Sequence, residues 1–123
     1  MTRAKVRFAA DPRFWSGAEQ FARGEYFDAH ETWEDVWREA SGEEKVVLGA
    51  LIQAAAGLLK HEQGNVNGMR RLLDRACRVL EAPPVDSPFD AEALAAELRV
   101  VRAAADAPVR ARPRLLSAPS RRG

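Results

Sequence analysis

Apolar residues recur along this chain every three or four positions, the spacing of a helix that buries one face. The first run follows Asp11-Pro12, a carboxylate cap with proline at the first helical position. It passes through Phe14, Ala18, Phe21 and Ala22 before Gly24 interrupts it. A second helix is expected from about Tyr26 to Ala40, with Tyr26, Ala29, Trp33, Val36, Trp37 and Ala40 as its stripe. Ser41-Gly42-Glu43-Glu44 has the form of a capping box and opens a third helix, about Glu43 to Gln63. That helix is apolar nearly all round through Val46, Val47, Leu48, Leu51, Ile52, Leu58 and Leu59, which predicts a place in the middle of a bundle. Gly64 ends it, and Asn65 can cap a fourth helix with Met69, Leu72, Leu73, Ala76 and Leu80 on one side. Ala82-Pro83-Pro84 breaks the chain. Asp90 caps a fifth helix that ends before Pro108, with Phe89 and Leu94 as its hydrophobic staple and Leu94, Leu98 and Val101 as its packing face. No segment reads as a strand. The expected fold is all-α, a compact bundle of about five helices built from antiparallel helix hairpins.

The pattern repeats. Arg23-Gly24-Glu25-Tyr26-Phe27-Asp28-Ala29 is echoed 40 residues on by Gln63-Gly64-Asn65-Val66-Asn67-Gly68-Met69. Each follows one helix and opens another, with glycine making the turn, an arrangement similar to the hairpin of tetratricopeptide-type repeats. Any antiparallel helix pair also favours glycine at that corner.

Composition narrows the class of protein. The chain has 123 residues, 46% of them hydrophobic and 30% charged, with a net charge of +1, which excludes a wholly disordered or supercharged polymer. Its length supports one core rather than two. The lone Cys77 rules out an intramolecular disulfide and a multi-cysteine zinc site. The longest apolar stretch, Val46 to Leu59, contains Gln53 and is short for a membrane span. Met1 to Phe8 alternates basic and small residues instead of forming a secretory leader, so a soluble, cytoplasmic protein without membrane contact is expected. Charge divides the chain in two. Residues 1–106 carry 14 basic and 18 acidic groups, a difference of −4, whereas residues 107–123 carry five Arg, three Pro and no acid. The expected organisation is a helical domain over 1–106 and a flexible basic tail over 107–123. Such a tail is either a solvated terminus or a clamp for nucleic acid or an acidic partner.

The segment carrying candidate chemistry is Glu25 to Arg38. His30, Glu34 and Trp37 are spaced i, i+4, i+7 and share a helix face, with Glu31 and Arg38 further round. A histidine among Tyr26, Trp33 and Trp37 needs partners for both ring nitrogens, and Glu34 can supply one acceptor. On the third helix Gln53, Gly57, Lys60 and His61 form the single polar stripe, and Gly57 permits close packing or a small cavity. If that stripe faces the second helix, His30, Glu34, Gln53 and His61 converge, with Trp33 and Trp37 as walls. Three readings fit this set. One is a polar network that only orients helices. Another is a semi-buried pocket for a small ligand or protein partner, bound by His30, Glu34, Trp37, Gln53 and His61. The third is a divalent-metal site formed by His30, Glu34 and His61 in a hydrolase-like enzyme, with Glu31 as base. The zinc-protease pattern H-E-x-x-H lacks its second histidine here, and His61 has Leu58 where a ferritin-like helix would carry Glu three residues earlier. Cys77 reads as a small hydrophobe, and the arginines of the fourth helix as a solvated face. No P-loop, dinucleotide-binding glycine motif or nucleophile elbow is present, so phosphoryl transfer, dinucleotide chemistry and serine hydrolysis lack their usual apparatus.

RGEYFDAHETWEDVWR followed by GALIQAAAGLLKHEQGNVNGMRRLL resembles a family of small bacterial and archaeal helical proteins known as domain of unknown function 309. The matching positions are Gly24, Tyr26, Phe27, Ala29, His30, Glu31, Glu34 and Trp37, then Gly49, Leu51, Ile52 and Gln53, then Gly64 and Asn65. Ala50 departs from the pattern as an extra residue between Gly49 and Leu51. The resemblance spans roughly residues 14–81. It implies an all-helical bundle whose signature centres on His30, Glu34, Trp37 and Gln53, and it implies no activity, because the family is uncharacterised.

Overall fold

The computed structural model describes residues 6–105. A single 3₁₀ turn, Phe8–Ala10, leads into five helices: α1 (Pro12–Ala22), α2 (Tyr26–Glu39), α3 (Gly42–Glu62), α4 (Val66–Leu80) and α5 (Ala91–Ala103). No strand occurs among the described residues. The basic segment 107–123, with its expected nucleic-acid contact, lies outside them. Among the described residues no helix is long and apolar enough to cross a membrane.

The local signals for three helix starts act as expected. Asp11 accepts from the Arg13 N–H, Asn65 from that of Gly68 and Asp90 from that of Ala93. Each such cap is worth about 1 kcal/mol relative to alanine. The two glycine corners are Schellman motifs. Gly24 donates to the Phe21 carbonyl and Glu25 to that of Gln20, and the pattern repeats with Gly64 to His61 and Asn65 to Lys60. Both glycines hold positive φ, 78° and 76°, a conformation costly for any residue with a Cβ.

The capping box expected at Ser41 does not form. The Ser41 hydroxyl makes no capping bond. The Glu44 carboxylate instead accepts from the backbone N–H groups of Arg7 and Phe8, at 2.8 and 3.3 Å. Those donors arrive from a distant part of the chain and outcompete the local partner. They seat the 3₁₀ turn against the start of α3.

Each helix packs on the next in sequence, which places α3 between α2 and α4. The core contains Phe14, Phe21, Trp33, Leu48, Leu51, Leu58, Met69, Leu73 and Leu98, all fully buried. The all-round apolar reading of α3 needs correction. Val46 is exposed and Ile52 and Leu59 are half-buried, so the helix keeps one side open to water. Antiparallel pairing of α1 and α2 is visible in its contacts. Arg13, early in α1, bridges to Glu39 at the end of α2 (2.8 Å), while Phe21, late in α1, meets Tyr26 at the start of α2 (5.4 Å between rings). Trp33 lies against Gly17 and donates its indole N–H to the Phe14 carbonyl at 2.9 Å. A Cβ on Gly17 would fall 2.4 Å from that indole nitrogen, so only glycine admits the ring. The connection 81–90 then carries Phe89 back onto Phe14 (6.2 Å between rings), and ion pairs Arg102–Asp74 and Arg99–Glu81 fasten α5 to the middle and the end of α4.

Candidate functional site

Helix α2 buries Tyr26, Ala29, Trp33 and Val36. Turning away from that stripe, its next residues are His30 and Glu34, both partly buried, and then Glu31, which is exposed. The His30 Nδ1 stands 3.4 Å from a Glu31 carboxylate oxygen and 3.6 Å from one of Glu34. It is buried and has no hydrogen-bond partner. One ligand atom from each of the three residues lies within 4.8 Å of the others, and this is the group found among the described residues that could hold a metal ion. Two carboxylates and an imidazole lone pair offer acceptors to a cation. Phe27, 60% exposed, stands one turn earlier on the same side of the helix.

The structure thus joins His30 to Glu34, as their spacing predicts, and adds Glu31. Sequence geometry placed Glu31 further round the helix and gave it the role of base in the metal reading, not that of a ligand. A glutamate side chain is long enough to cross that angle, and adjacency to the histidine is the signal that could have found it. His61 does not belong to this group. The reason lies in the polar stripe of α3. Gly49 on that helix packs on Trp37 of α2, at 3.5 Å from a hypothetical Cβ, whereas Gly57 packs on Leu73 and Leu72 of α4, at 2.6 and 3.3 Å. Residues four apart advance around a helix by about 40° per step, so the stripe winds from the α2 seam to the α4 seam. Gln53, half-buried, sits between the two seams, and His61 lies one turn beyond Gly57.

The tryptophans separate in role. Trp33 is fully buried, a core residue. Trp37 is half-buried, backed by Gly49 and covered by the Lys45 ammonium 4.1 Å from its ring centre, so it belongs to the α2–α3 seam. Trp15 is half-buried and donates to the Ala9 carbonyl at 2.8 Å. Cys77 is buried, and that burial raises its thiol pKa and keeps it protonated, in line with a packing role.

A cleft of about 350 Å³ also opens between the 3₁₀ turn and the α2–α3 connection, lined by Arg7, Asp11, Glu39 and Glu44 among others. Its carboxylates are committed. The Arg13 guanidinium holds both Asp11 and Glu39 below their ordinary pKa values, and Glu44 caps the 3₁₀ turn. This cleft is a structural joint.

No curated protein matches the chain. A family model does match, over residues 14–72, from α1 to the middle of α4, stopping short of residue 81 where the sequence resemblance was drawn. The matched stretch contains His30, Glu31, Glu34, Trp37 and Gln53, so the segment that carries the cluster belongs to the family described as domain of unknown function (DUF309).

Proposed function

We propose that this protein is a small binding module whose site is the His30–Glu31–Glu34 face of α2 and whose ligand is a divalent cation. The observation that carries the reading is the buried His30 Nδ1, without a hydrogen bond and flanked by two carboxylate oxygens at 3.4 and 3.6 Å. A buried ring nitrogen left unmatched calls for a partner, and a metal ion bound to the unprotonated nitrogen satisfies the imidazole and both carboxylates at once. Register supports Gln53 as the orienting group. Only two residues join α2 to α3, so the helices run in opposite directions. Trp37 lies against Lys45 and Gly49. One turn back along α2 from Trp37 are Trp33 and Glu34, and one turn forward along α3 from Gly49 is Gln53, which brings Gln53 to about the level of Glu34.

Titration of the full chain with Co²⁺, followed by heat and by visible absorption, tests this. One ion per chain is expected, and His30→Ala should weaken binding by about 100-fold or more with the far-UV circular dichroism unchanged. Absence of saturable binding, or equal binding by His30→Ala, refutes it.

A second reading is favoured by the exposure of Glu31. With Glu31 left out of the ligand set, His30 and Glu34 leave coordination positions open to water. Glu31 is the most exposed of the three, its side chain 56% accessible. In a hydrolase built this way, His30 and Glu34 hold the ion and Glu31 takes a proton from the attacking water. Glu31→Gln would then abolish hydrolysis of a nitrophenyl ester by the Co²⁺-loaded protein while leaving Co²⁺ affinity within a few-fold.

A further inference from the structure

The connection between α4 and α5 forms a second polar feature, unrelated to the α2 cluster. Nine residues between 81 and 92 line a cleft of about 530 Å³, Glu81, Asp86, Asp90 and Glu92 among them, and none of the described lining residues is basic. Glu81 is paired with Arg99, and Asp90 is engaged as the cap of α5. Asp86 and Glu92 make no hydrogen bond or ion pair among the described residues. Ser87 lines the same cleft, is only 8% exposed, and has a buried Oγ with no hydrogen-bond partner. A sequestered hydroxyl beside unneutralised carboxylates marks a place where donors and positive charge are missing.

The spacing of these groups argues against a single small ion. Among the described residues, the acidic or histidine side chains close enough to share one ion are those on α2, not these. The carboxylates are interleaved with the apolar surfaces of Ala82, Val85 and Ala91. A ligand that fits has several cationic donors separated by short apolar spacers. We propose that this cleft is a second binding site, for a small linear polyamine whose ammonium groups meet Asp86, Glu92 and the Ser87 hydroxyl while its methylene chains lie on the apolar lining. Ammonium groups supply three donors each and no acceptor, which suits a lining of acceptors.

Calorimetric titration of the full chain with spermidine as the probe tests the assignment. Saturable binding is expected, weakened about ten-fold or more in the double variant Asp86→Asn/Glu92→Gln and about three-fold in Ser87→Ala, and unchanged in Glu34→Gln. Neither side chain is bonded to another described residue, and Glu92 only adds its charge to the first turn of α5, so the thermal midpoint of the double variant should fall by no more than a few degrees. The Glu34→Gln control separates this site from the α2 cluster, whose own failure to bind Co²⁺ would leave the spermidine result untouched. The assignment is overturned by no saturable heat at about 1 mM spermidine, or by wild-type affinity in either the double variant or Ser87→Ala. It is also overturned by an equal loss in Glu34→Gln, or by an arginine-rich peptide displacing spermidine at lower concentration, which would make the cleft a protein-docking surface.

Discussion

Gly24 in the first helix hairpin and Gly64 in the second turn the chain with φ of 78° and 76° and with the same pair of backbone hydrogen bonds. The correspondence continues into the packing. Gly17 of α1 receives Trp33 of α2, and Gly57 of α3 receives Leu73 of α4, both positions displaced by 40 residues. The outward faces do not correspond. Where α2 carries His30, Glu31 and Glu34, α4 carries Arg70, Arg71 and Asp74, and Asp74 is taken up by Arg102 of α5 at 2.6 Å. A glycine corner and one small residue at the crossing are enough to specify the hairpin. The side facing away from the crossing is then free to hold whatever chemistry the chain acquires, and here only the first hairpin places a histidine between two acids.

The two crossings should differ most in their tolerance of added bulk. Gly17→Ala drives a methyl group into an indole that is fixed by its bond to the Phe14 carbonyl, and should cost about 3 kcal/mol in urea unfolding. Gly57→Ala meets the Leu73 Cδ2 at 2.6 Å, its Cγ at 3.1 Å and the Leu72 Cβ at 3.3 Å, of which only the first can swing aside, and should cost about 2 kcal/mol. Equal losses would make the hairpins mechanically equivalent despite the tryptophan.

A smaller contrast lies at the helix starts. Asn65 caps α4, but Glu25, with nearly the same backbone angles, leaves α2 uncapped. Asn65→Ala should lower stability by about 1 kcal/mol, and Glu25→Asn should raise it by about 0.5 kcal/mol. A neutral Glu25→Asn would show that the first corner cannot use the cap its geometry admits.

The smallest effect is expected from acid. Arg13 lowers the carboxyl pKa values of Asp11 and Glu39, a clamp confined to the first hairpin. Groups whose folded pKa is depressed stabilise the fold above their ordinary values and lose that contribution as pH falls through the lowered ones. The contribution should therefore be complete above about pH 4.5, the ordinary glutamate value, and fade below it. Both side chains of the Arg13–Glu39 pair are well exposed, so added salt should shrink the effect. Asp11→Asn/Glu39→Gln should flatten the dependence of unfolding midpoint on pH.

Much of this fold was legible because its signals are local. Asp11-Pro12, Asn65 and Asp90 mark helix starts that depend only on the next few residues, and Gly24 and Gly64 mark corners in the same way. The exceptions were decided across the chain. Ser41 through Glu44 spells a cap, yet Glu44 turns to Arg7 and Phe8, which no local window contains. The candidate site divides along the same line. His30 and Glu34 follow from helical spacing, whereas the position of His61 depended on which neighbour α3 offers its polar stripe, a matter settled by Gly57 packing on Leu73. Glu31 fell between these cases, since an angular projection ignores how far a flexible side chain reaches.

Phe89 stacked on Phe14 has a consequence for growth of this architecture. Stacked hairpins ordinarily permit lengthening, because each unit presents to its successor the surface it received from its predecessor. Here the segment that follows the second hairpin returns to the beginning of the first, and the stack is stoppered. A third hairpin spliced in after α4 would prise these rings apart.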